Sequence, residues 1–145
     1  MKILLTIMAL TVVFSLHAAK HERRSPAVAE WRRISTADIP RELELIVGSG
    51  ACFRGVRAEL GDAALFDRMA RLLKKHFCKY DQKTVSAALR QMRPLIPAVD
   101  PVRAATDLTH IRSRVEIVAD KDPETWRPVL ETIDAMRSEL IVNGR

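Results

Sequence analysis

Four aspartates, two of them followed at once by proline, cut this 145-residue chain into helix-sized segments, and that punctuation constrains its fold more than any other feature. An aspartate just before a helix can accept from the free N–H groups of the first turn. Proline suits the first helical position because it has no N–H left to satisfy there. Asp38 with Pro40 opens one such segment, whose apolar residues Ile39, Leu43, Ile46 and Val47 recur at spacings of three and four. Asp62 opens a second, carrying the chain's cleanest apolar stripe: Leu65, Phe66, Met69, Leu72, Leu73 and Phe77. After a break at residues 78–81 come Val85, Ala88, Leu89 and Met92, stopped by Pro94 and Pro97. Asp100-Pro101 precedes Val102, Ala105, Leu108, Ile111, Val115 and Val118. Asp122-Pro123 precedes Trp126, Val129, Leu130, Ile133, Met136, Leu140 and Ile141, with Asn143-Gly144 as the stop.

Helices with one apolar face each are satisfied only by packing on one another. The expected fold is therefore all-α, a compact bundle of about four to five helices. Aromatic residues make up only 5% of the chain, which argues against sandwiched sheets. Gly48-Ser49-Gly50 leaves two readings open. The first helix ends there, or it runs on with a weakened middle through Cys52, Val56 and Leu60 to Gly61, since glycine costs only about 1 kcal/mol per interior position.

The N-terminus supplies an address. Lys2, an uncharged apolar run over residues 3–16 and the small residues Ala18-Ala19 have the three-part layout of a secretory signal peptide. The run is shorter than the roughly 17–25 residues of a membrane-spanning helix. A retained N-terminal anchor is the alternative. The expected organisation is a signal peptide over 1–19, an extended or loosely docked arm over 20–37 held by Trp31 and Ile34, and a helical domain over 38–145. The expected location is secreted or periplasmic.

Export changes the meaning of the cysteines. Cys52 and Cys78 are the only two, and an oxidising compartment favours their pairing, so one disulfide is expected to clamp the bundle. Geometry attaches a condition. The turn at Gly61 lies nine residues after Cys52 and 17 before Cys78. Straight antiparallel helices would leave the two about 12 Å out of level, whereas a disulfide needs Cα atoms within about 7 Å. The second helix must stop early, tilt, or cross the first.

Chemistry is thinly represented. His21, His76 and His110 have no second ligand at zinc spacing, and His17 belongs to the signal segment. Gly48-Ser49-Gly50 matches neither a nucleophile elbow nor a phosphate loop. Asp120-Lys121-Asp122 lacks the central glycine and spacing of a calcium loop. No enzyme, cofactor or metal is expected.

Charge gives the best lead. Residues 61–95 carry 8 basic and 3 acidic side chains, while residues 96–145 carry 7 and 9. Arg68, Arg71, Lys75 and Lys79 recur at three, four and four and would share one helix face, with Lys74 on its flank and Lys83 beyond. Such a face can meet anionic lipid headgroups, sulfated or phosphorylated glycans, or an acidic protein. Nucleic acid is disfavoured by export and by the missing aromatic stacking groups. Two functions follow: a non-enzymatic protein binder of the envelope chaperone, adaptor or inhibitor kind, and a binder of anionic surfaces.

Over about residues 50–90 the chain is similar to the disulfide-bearing periplasmic immunity proteins of bacterial contact-dependent killing. Phe77-Cys78 and the downstream helix start Thr84-Val85 carry the likeness. The proline and glycine common after that cysteine are missing, and Cys52-Phe53-Arg54-Gly55 departs from the first-cysteine pattern. The resemblance implies a protein that blocks a toxic effector, with no catalytic residues to carry over.

Overall fold

Aspartate caps set most of the helix starts. In the computed structural model, which describes residues 26–35 and 37–143, seven α-helices and two short 3-10 segments follow one another without a strand. Helix α1 spans Pro26–Ile34, α2 Ile39–Gly48, α3 Gly50–Leu60 and α4 Asp62–His76. Then come α5 over Gln82–Met92, α6 over Pro101–Ala119 and α7 over Pro123–Asn143. Asp38, Asp81 and Asp100 each accept a hydrogen bond from the backbone N–H three residues on, at 3.3, 2.8 and 3.0 Å. Asp122 does the same for Thr125 at 3.4 Å. The all-α class holds, but the helices number seven among the described residues, more than the four to five expected.

One split and one added helix account for the difference. Ser49 turns out of the helical region and caps α3 through the Cys52 N–H at 3.3 Å, so the first helix ends at Gly48. The other extra helix is α1. Pro26 sits at its first position rather than in a break, and Val28, Trp31 and Ile34 face inward at intervals of three. Residues 26–34 are thus a packed helix rather than an extended arm. Glu30, Arg32 and Arg33, interspersed among them, obscure the period in the sequence. Arg32 ties α1 to α3 through Glu59 at 3.1 Å. The segment 1–19 and His21 lie outside the described residues.

Gly61 joins α3 to α4 at φ +84°, a left-handed conformation that glycine adopts without a Cβ clash. Asp62 is not the cap expected there. It is the first residue of α4 and grips Arg57 of α3 at 2.7 and 2.9 Å, bracing the corner. Helix α4 is central, packing on α2, α3, α5, α6 and the 3-10 segment Arg93–Ala98. Its Leu65, Phe66, Met69 and Leu73 are fully buried with Leu89, Met92, Leu108, Ile111 and Ile133. Each such side chain contributes about 1.5–3 kcal/mol relative to exposure. Helices α6 and α7 form the most extensive pair. The buried face of α6 carries Ala104, Leu108, Ile111 and Val115, and Val102 and Ile141, both counted in the apolar pattern of the sequence, stand in solvent.

No disulfide forms between Cys52 and Cys78; both thiols are free. Helix α4 runs unbroken to His76, neither stopping early nor bringing Cys78 back level with the start of α3. Cys52 is fully buried and its thiol donates to the Ala27 carbonyl at 3.7 Å, while Cys78 is exposed in the 3-10 segment Phe77–Lys79. Hydrophobic packing around α4 holds the bundle without a covalent clamp. No described helix is long and apolar enough to cross a membrane.

Candidate functional site

The basic residues of α4 separate into three environments once the helix is packed. Arg68 is turned toward α2, where its guanidinium pairs with Glu42. That carboxylate is almost fully buried, and it also accepts the Trp31 indole N–H at 3.0 Å. The Arg68 guanidinium lies over the Trp31 ring, 5.7 Å from its centroid. One carboxylate thereby joins α1, α2 and α4, and a buried acid of this kind is tolerated because both its partners donate to it.

Lys74 points the other way and donates to Asp107 of α6 at 2.6 Å. It borders a hollow of about 290 Å³ with His110, Ser113 and Arg114. Lys79 and Lys83 are exposed, one in the 3-10 segment and the other in the first turn of α5. The expected single face is thus broken: Arg68 and Lys74 are committed to acids inside the fold.

Arg71 and Lys75 remain. Neither pairs with a carboxylate among the described residues. With Arg68 and His76 they form one wall of a cleft of about 280 Å³ between α4 and the α1–α2 corner. Ser35, Ile39, Glu42 and Leu72 supply the remainder of the lining. Ile39 is 48% exposed although it is a large aliphatic residue. Cationic groups on low-dielectric walls focus field into a concavity and raise the local concentration of anions.

The structure therefore brings three of the six sequence-selected basic residues (Arg68, Arg71 and Lys75) to one cleft and leaves Lys74, Lys79 and Lys83 outside it. Sequence reasoning missed Ile39, Glu42 and Ser35 as parts of that site. A faint signal existed for the inner pair. Glu42 adjoins Leu43 and Arg68 adjoins Met69, so each charge sits at the edge of an apolar stripe.

Other candidate chemistry is occupied structurally. Burial, with the Glu30 charge adding to it, pushes the Cys52 thiol up from its ordinary value, away from the thiolate that redox chemistry needs. Burial raises the Tyr80 hydroxyl as well, helped by Glu44, Glu42 and Asp38. Ser49 is used as a cap. No group of three or more metal-ligating side chains occurs among the described residues. No protein-family model, curated protein or solved structure matches the chain.

Proposed function

We propose that this is a non-enzymatic binding protein that holds an acidic segment of another exported protein in the cleft beside α4. The carrying observation is that Arg71 and Lys75 line a concavity without an ion-pair partner among the described residues, its one carboxylate, Glu42, being taken by Arg68, while Lys74 is paired with Asp107. A solvated helix face has no need of a cavity. The concave shape favours a projecting acidic side chain over the flat surface of a membrane.

The test is a titration of the protein with a capped hexaglutamate peptide, followed by NMR shifts of the α4 amides. Binding should weaken with salt and fall about tenfold or more in the double variant Arg71→Glu/Lys75→Glu. Vesicles of phosphatidylglycerol form the rival arm. If vesicles bind in a manner that Arg71→Glu/Lys75→Glu abolishes while the peptide does not bind, the cleft is an anionic-surface site and the protein-binding reading is wrong.

A further inference from the structure

Resting on that reading, we infer that the cleft recognises a composite feature: one large apolar side chain flanked by carboxylates on a partner peptide. Ile39 carries the argument. It begins α2 and lines the cleft with 48% of its surface exposed, in the same lining as Arg71, Lys75 and the nearly buried Leu72. A site for charge alone has no use for an exposed isoleucine at its rim. Displacing the water against Ile39 is favourable when the occupant brings an apolar group to replace it.

Size narrows the occupant further. A hollow of about 280 Å³ falls at or below the roughly 300–1,000 Å³ of pockets that enclose whole small-molecule ligands. One side chain with its flanking backbone fits such a volume. The apolar group would lie on Ile39 and Leu72, and the flanking carboxylates would meet Arg71 and Lys75. Arg68 is held back by Glu42, so it shapes the wall and leaves the charge recognition to the other two.

The test compares two capped peptides, Glu-Glu-Phe-Glu-Glu and Glu-Glu-Gly-Glu-Glu, against the protein and its Ile39→Ala variant. The phenylalanine peptide should bind about tenfold more tightly than the glycine peptide, and Ile39→Ala should shrink that ratio to about twofold or less. Because Ile39 is half exposed, this variant keeps the core intact, and an unchanged thermal midpoint confirms it. Equal affinity for the two peptides, or an advantage insensitive to Ile39→Ala, overturns the composite recognition while leaving the acidic-segment reading standing. Loss of both peptides' sensitivity to Arg71→Glu/Lys75→Glu overturns both.

Discussion

Replacing Glu42 by leucine tests the joint between α1, α2 and α4. Glu42 is 2% exposed and serves two donors, the Trp31 indole N–H at 3.0 Å and the Arg68 guanidinium. Removing one member of a buried ion pair costs about 3–5 kcal/mol because the other charge stays behind unpaired. Here the Arg68 side chain is 35% exposed, so water takes up part of that loss and the ion-pair share falls to about 2 kcal/mol. The Trp31 N–H is 95% buried by residue and loses its acceptor, adding about 1 kcal/mol or more. The expected destabilisation is about 3 kcal/mol, equivalent to a fall in melting temperature of roughly 10–15 °C for a domain of this size. Urea denaturation followed by tryptophan fluorescence measures it, since Trp31 reports directly on the joint. The double variant Glu42→Leu/Arg68→Met should recover a large part of the loss, because exchanging both charges for apolar groups is often nearly neutral. A loss under about 1 kcal/mol for Glu42→Leu, or strictly additive effects in the cycle, would refute the reasoning.

Acid should unfold the protein through specific carboxylates. Hydrogen bonds from Arg57 hold Asp62 below its ordinary value of 3.8, those from Arg112 do so for Asp134, and the Thr84 N–H does so for Asp81. Each binds fewer protons folded than unfolded, so its contribution is complete above the ordinary value and is lost as pH falls through the lowered one. Urea midpoints should therefore drop below about pH 4, and the triple Asp→Asn variant should show a flatter decline; an unaltered slope would show that other groups govern it. For the thiols, Cys78 should react with a maleimide in the native protein and Cys52 only after unfolding, with reductant leaving the melting temperature unchanged. Two native-state thiols protected from the reagent until reduction would contradict this arrangement.

Much of the helical pattern was legible locally. Caps at Asp38 and Asp100 and the stripe from Leu65 to Leu73 depend on neighbours within a turn or two, which the sequence displays directly. Helix α1 was not legible, because its three buried residues are spaced among charges that face outward only after docking on α2 and α3. The cysteine pairing failed for a related reason. An even count of cysteines makes a bond chemically possible in an oxidising compartment, but the reach between two sulfurs depends on how far α4 runs. The structure continues α4 to His76 and leaves both thiols free.

The cleft shows the same division. Sequence alone determined that α4 would be amphipathic and basic on its wet side, since both properties follow from residue identity and a period of 3.6. Only the tertiary structure decided which cations stay available. Glu42 lies 26 residues from Arg68 and Asp107 lies 33 from Lys74, and these distant carboxylates neutralise two of the stripe's charges. Arg71 and Lys75 remain unpaired because the one carboxylate that packing brings to their cleft, Glu42, is taken by Arg68. A helix carries its own charges, but the neighbours that fold against it determine which of them are cancelled.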